Sequence, residues 1–186
     1  QEIDVSTIGK AIAHGLAYVT ADRKGLGLIL EEDIQKNTSL ANLDAISQHM
    51  VIDEQREFSV AEEFRRKLKT RCSSVAQKVV NLSGGNQQKV VLAKWLFSRP
   101  DVLILDEPSR GIDVGAKYEI YSIISDLAAE GKCIIMISSE MPELLGMCDR
   151  IYVMNEGRFA AELSAAEASQ ERIMRATVTH GENNGQ

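Results

Sequence analysis

The sequence predicts an α/β fold with a mostly parallel sheet, and three observations predict it. Val102-Leu103-Ile104-Leu105 is an uninterrupted apolar run, the pattern of a strand buried on both faces of a parallel sheet. A second run, Cys133 to Ile137, reads the same way. Between the two lies an amphipathic helix, Val114 to Ala129, with Ile120, Ile123, Ile124 and Leu127 on its apolar stripe. A right-handed crossover then sets the two strands side by side or nearly so. Third, the first strand ends on two carboxylates, Asp106 and Glu107, at the edge where open α/β sheets place ligands.

The remaining elements follow in order. Ile8, Ala11 and Ile12 fall at helical spacing, so a short helix starts after Asp4-Val5-Ser6 and stops at His14-Gly15. Leu16 to Thr20 is a strand, and Ala21 to Gly25 is a loop. Asn37 to Lys78 looks helical, polar and loosely punctuated. It includes a charged helix, Val60 to Thr70, with Val60, Phe64 and Leu68 on one face. Arg65, Arg66, Lys67, Lys69 and Arg71 read as a solvated face. A helix from Asn86 to about Ser98 leads into the first buried strand, which Pro108 stops. Glu130-Gly131-Lys132 closes the amphipathic helix. After the second buried strand come a helix (Met141 to Met147) and two strands (Arg150 to Met154, Arg158 to Glu162). Asn155-Glu156-Gly157 joins these as a hairpin signal. A final helix spans Ala165 to Ala176, and the polar tail Thr179 to Gln186 reads as disordered.

Composition narrows the function. The 186 residues, 44% of them hydrophobic, suffice for one domain with a sizeable core. A net charge of −6 argues against general nucleic-acid binding. No run approaches the ~18 apolar residues that cross a bilayer, so membrane association has to come through partner proteins. Cys72, Cys133 and Cys148 have no metal or redox spacing, which suits a reducing compartment. Cys133 reads as a small apolar filler.

Chemistry concentrates between Leu82 and Asp113. Ser83-Gly84-Gly85 is a turn whose glycines allow positive φ and leave no Cβ in the way, so backbone N–H groups can approach an anion. The helix that follows points its positive dipole end at that anion, and Ser83 adds a hydroxyl. One carboxylate at the end of the strand can hold Mg²⁺, usually through water. The other can orient and deprotonate an attacking water.

These residues carry a resemblance. Leu82-Ser83-Gly84-Gly85-Asn86-Gln87-Gln88 resembles the signature motif of ABC-type ATPases, and Val102 to Pro108 resembles their Walker B motif. Arg110-Gly111-Ile112-Asp113 stands where the family has its D-loop. The wording around both motifs is similar to the second nucleotide-binding half of the ATPases that drive monosaccharide importers of the ribose, xylose and multiple-monosaccharide type.

The resemblance covers nearly the whole chain and implies a P-loop NTPase-like fold with ATP and Mg²⁺ as cofactors. It also implies a helical subdomain over about 34–80, followed by the signature, Walker B and C-terminal sheet region over 81–178. Asp106 is expected to hold the metal and Glu107 to act as base. Ser83, Gly84, Gly85 and Gln87 would serve the nucleotide of a facing half, Asp113 would couple the two sites, and Ser139 would meet the γ-phosphate. The implied partners are transmembrane permease subunits, a second nucleotide-binding half and, indirectly, a periplasmic sugar-binding protein. The implied place is the cytoplasmic face of the inner membrane, peripherally.

Three departures qualify this. Ala21 stands where the family's Q-loop side chain senses the metal, and a methyl group cannot coordinate one; Asp22 beside it is an alternative sensing residue but reads rather as a turn acid. Ser139 stands where most of the family has the H-loop histidine, and it carries no charge. No G-x-x-x-x-G-K-[ST] is present; Gly9-Lys10 is the nearest match and lacks both the first glycine and the hydroxyl. The chain therefore reads as the C-terminal piece of a longer ATPase, its Walker A motif and first strands lying elsewhere. By itself it is expected to turn over little or no ATP. The alternative is a degenerate half that completes a partner's site through its signature turn.

Overall fold

In the computed structural model, which describes residues 3–178, the chain forms two compact units. One runs through Ile137 and the other starts at Ser138. The tail read as disordered lies outside the described residues.

The first unit opens with α1 (Ile8–Ala13), whose first turn is capped by the Thr7 hydroxyl accepting from the Lys10 amide at 3.3 Å. Gly15, at φ +75°, turns the chain into β1 (Leu16–Val19), and its carbonyl accepts from Asp101 and Val102. A π-helical turn, Arg23–Gly27, follows, and then α2 (Ile34–Ser39), a 3-10 turn (Leu43–Ile46) and a minimal hairpin, β2 (Ser47–Gln48) with β3 (Val51–Ile52).

Helix α3 spans Glu54–Lys67, so it starts earlier and ends earlier than the expected Val60 to Thr70. The reason is local. Asp53 accepts from the amides of Gln55 and Arg56 at 3.1 and 3.0 Å, a side-chain cap. Lys69, at φ +52°, closes the other end. Ala61 and Leu68 are buried on the inner face. Glu57 is buried there too, and it is satisfied by Ser39 Oγ at 2.5 Å and Gln35 Nε2 at 3.0 Å.

The remaining elements of this unit are α4 (Gly84–Phe97), β4 (Val102–Asp106), α5 (Val114–Ala129) and β5 (Cys133–Ile137). The strands form a parallel sheet in the order β1-β4-β5, with Tyr18, Ile104 and Ile135 in register. The crossover through α5 places β4 and β5 as neighbours, as expected.

The expectation that the strands are buried on both faces needs correction. Ala17, Val19, Leu103 and Leu105 are buried, with α4 packed against β1 and α5 against β5. The alternate residues lie on the other face, where Tyr18, Ile135 and Ile137 remain 45%, 48% and 49% exposed. Cys133 is exposed on that face and fills nothing. An apolar run names a strand, but whether its second face is covered depends on what packs there.

The second unit contains α6 (Met141–Met147), an antiparallel hairpin of β6 (Arg150–Asn155) and β7 (Arg158–Ser164), and α7 (Gln170–Val178). Glu156 and Gly157 take φ +47° and +76°, the two left-handed residues of a two-residue hairpin loop. Ile151, Val153 and Ile173 form the core. The last helix starts later than Ala165 because Ser164 and Glu167 close a turn of their own, and Ser169 Oγ then accepts from the Arg172 amide at 3.2 Å.

Candidate functional site

The turn predicted to meet an anion is the N-terminus of α4. Ser83 is the N-cap residue, exposed, with φ −61° and ψ 156°. Its hydroxyl makes no capping bond; it accepts from Asn86 Nδ2 at 2.9 Å. The first-turn amides of a 14-residue helix are thus left without a side-chain cap, which is the arrangement that receives an anion.

Gly84 and Gly85 are already helical and take no positive φ, so the left-handed freedom expected of them is not used. What they use is the missing Cβ. A Cβ on Gly84 would lie 3.0 Å from Arg23 Nη2 and 3.2 Å from the Gly111 carbonyl. One on Gly85 would lie 2.5 Å from the Ala116 Cβ. Glycine to alanine inside a helix ordinarily stabilises by up to about 1 kcal/mol. Here the sign reverses: Gly85→Ala drives α4 off α5 and costs about 2 kcal/mol, the range of overpacked cores. Chemical denaturation of the purified chain measures it, and an unchanged midpoint would contradict the tight packing.

Gln87 turns inward. It is 5% exposed, and its Nε2 donates to the Val79 carbonyl at 3.2 Å, beneath the turn rather than on its open side. Lys89, 1% exposed, donates to the Lys69 carbonyl at 3.0 Å and to Glu119 at 2.7 Å, joining the end of α3 to α4 and α5.

The two carboxylates stand at the end of β4, half-buried. Asp106 Oδ2 accepts from the Tyr18 hydroxyl at 2.6 Å, and that bond, with burial, raises the Tyr18 pKa above its ordinary value. Glu107 has φ +47°, and its amide donates to the Ile137 carbonyl at 2.8 Å. A glutamate held left-handed costs on the order of 1 kcal/mol or more, a strain that collects at functional sites. No cluster of three or more His, Cys, Asp or Glu that could hold a metal occurs among the described residues. Two adjacent carboxylates are a donor number that Mg²⁺ can take, the rest of its shell being water and substrate phosphates.

Asp113 caps α5, its Oδ1 accepting from the Ala116 amide at 2.9 Å. Asp22 also works as a cap. Its Oδ1 accepts from Gly25 at 2.9 Å at the start of the π-helical turn, in keeping with its reading as a turn acid. Ala21 is half-buried beside it. Ser139 lies in the second unit and is exposed. Its neighbour Ser138 donates to Glu143 at 2.6 Å and accepts from the Glu140 amide at 2.9 Å, which fixes the start of α6.

Sequence reasoning missed Arg23 and Lys94. Arg23 donates to the carbonyls of Arg110 and Gly111 at 2.6 and 3.1 Å. Lys94, buried on α4 with its pKa lowered by that burial, donates to the Gly27 carbonyl at 2.5 Å. These bonds span 87, 88 and 67 residues, and no local spacing announces them. None of the described helices is long and apolar enough to cross a membrane.

This arrangement can be set against known proteins. The chain is 65% identical over 174 residues to the L-arabinose transport ATP-binding protein AraG of Geobacillus stearothermophilus. It is 53% identical over 174 residues to the xylose import ATP-binding protein XylG of Geobacillus kaustophilus. These alignments cover 94% of this chain and 34% of each relative, so the chain spans about a third of the length of the curated relatives it matches. With the ribose import ATP-binding protein RbsA of Bacillus cereus it shares 48% identity over 98% of its length and 37% of the relative.

Among solved structures, it superposes on a dimeric post-hydrolysis ATP-binding cassette bound to ADP and Pi with a TM-score of 0.71 and 21% identity, covering 88% of this chain and 68% of that one. An ATP-binding cassette of an ABC transporter gives 0.72 and 20%, covering 90% and 70%. At that identity these likenesses establish the fold. The sequence profile described as ABC transporter matches residues 4–110, more than half of the chain, and the chain belongs to the ABC transporter family.

Proposed function

We propose that the chain is part of an ATP-binding, ATP-hydrolysing subunit that energises import of a monosaccharide across the inner membrane from its cytoplasmic face. Its partners in this reading are permease subunits, a second nucleotide-binding half and a periplasmic sugar-binding protein. The observation that carries the reading is the uncapped N-terminus of α4, held beside Arg110 to Asp113. Similarity to the arabinose, xylose and ribose proteins supports the sugar-import part.

The residues take the following roles. Asp106 would hold Mg²⁺, and Glu107 would take a proton from the attacking water. Bound Mg²⁺ supplies charge neutralisation at the phosphates. Ser83 and the amides of Gly84 and Gly85 receive the terminal phosphate of a nucleotide held by the facing half. Gln87 supports that turn from beneath. Asp113, as the cap of α5, ties the turn between the strand and that helix to the facing site, and Ser139 is the candidate γ-phosphate contact by its place in the sequence. A second reading rests on Ala21: with a methyl group at the metal-sensing position, this half completes its partner's site and hydrolyses little itself.

Reconstitution tests the main reading. In vesicles that contain the permease and the ATPase bearing this chain, a sugar-loaded binding protein should stimulate MgATP hydrolysis and drive uptake of arabinose, xylose or ribose. ATP hydrolysis indifferent to permease and sugar would contradict it.

A further inference from the structure

Arg23 leaves the turn between β1 and α2 and reaches the first turn of α4. Its two terminal nitrogens form a fork on consecutive carbonyls, Nη1 to Arg110 at 2.6 Å and Nη2 to Gly111 at 3.1 Å. Gly111 is left-handed, at φ +68°, so both carbonyls can serve one guanidinium. Nη2 also lies 3.0 Å from where a Cβ of residue 84 would stand, so the fork is seated directly against the signature turn. The turn that carries Arg23 is fixed at both ends: Asp22 caps its start, and Lys94 holds the Gly27 carbonyl at 2.5 Å further along α4.

The electrostatics of this corner are unbalanced. Burial alone moves the Arg23 pKa, downward, and Nε is buried without a hydrogen-bond partner. A guanidinium without a carboxylate partner among the described residues thus sits beside the positive end of α4. Like charges this close repel, and an anion at the turn relieves the repulsion.

We propose that Arg23 is a positioning residue for the phosphate site at the signature turn, clamping Arg110 and Gly111 against α4 and leaving the site short of one negative charge. This rests on the reading that the turn receives the terminal phosphate of a nucleotide held by the facing half. Arg23 does not touch that phosphate; it acts through the backbone it holds and the charge it places behind the turn.

Two substitutions in the reconstituted transporter test the clamp. Arg23→Gln removes charge and fork together. Hydrogen bonds from charged groups are worth enough to make the expected loss in kcat about tenfold or more. KM for ATP should stay within about twofold, because the nucleotide is held by the facing half. Arg23→Lys keeps the charge but is a single point donor that cannot serve both carbonyls, so it should recover less than about half of the loss.

A readout independent of turnover is amide exchange in the chain itself. The amides of Arg110 and Ala116, bonded to Glu107 and Asp113, should exchange about tenfold faster or more in both variants, while those of Leu103 and Leu105 stay protected. Wild-type kcat in Arg23→Gln, full rescue by lysine, or unchanged exchange at Arg110 and Ala116 would overturn the proposal. A wild-type transporter that never turns over MgATP would overturn the reading beneath it, and the exchange result would still decide the clamp.

Discussion

Glu107→Gln lowers ATP turnover by about two to four orders of magnitude, the usual contribution of a positioned general base, and leaves nucleotide binding close to wild type. The amide keeps the size and hydrogen bonding of the carboxylate but cannot take a proton from water. Backbone geometry makes the substitution clean. The bond that fixes the residue runs from its amide to the Ile137 carbonyl at 2.8 Å, and glutamine keeps it. The φ of +47° strains either side chain alike. Turnover and ATP affinity are measured on the same reconstituted preparation. Turnover at the wild-type level would show that Glu107 is not the base, or that this half never hydrolyses.

Gly84→Asp abolishes hydrolysis at the facing site, with a loss of at least about a hundredfold, the scale of removing one preorganised donor from a transferring phosphoryl group. Two effects add. The new carboxylate lies against Arg23 Nη2 and the Gly111 carbonyl, at 3.0 and 3.2 Å from its Cβ, and it draws the guanidinium off the carbonyls it holds. It also places a negative charge where the phosphate arrives, and like charges repel. The tight approach at Gly84 costs some stability, offset in part because an acidic residue in the first turn favours the helix dipole, and the variant should still fold. Circular dichroism therefore separates the functional loss from unfolding.

Ser139→Ala should impair this half's own site less, since it removes an uncharged, short side chain. ATPase rate and sugar uptake for both variants in the same vesicles decide the matter. If Ser139→Ala is the more damaging, this half is a working catalyst that uses serine in place of histidine.

Much of this architecture was legible because its signals are local. The apolar runs at Val102 and Cys133, the stripe of the helix between them and the turn at Asn155-Glu156-Gly157 all act within a few residues. The carboxylate pair was legible too, because strand ends are where such sheets place ligands.

What was not legible is set by distance and by face. The open side of the β1-β4-β5 sheet could not be read from an apolar run, which looks the same whether one face is covered or two. The cap that starts α3 at Asp53 was obscured by the short hairpin before it. The inward turn of Gln87 depends on Val79, and the fork of Arg23 depends on a backbone more than eighty residues away. The left-handed freedom read into the glycine pair is not used: Gly84 and Gly85 are helical, and the missing Cβ makes room for Arg23, Gly111 and Ala116.

The 2.5 Å approach at Gly85 makes positions 85 and 116 a single volume shared by two helices. Neither can change size without the other, whatever the chain does with nucleotides. With alanine at 116, the second glycine of the signature is thus demanded by the scaffold, since it seats α5. The motif by itself certifies the fold. In the proposed mechanism hydrolysis rests on other residues, Glu107 first among them.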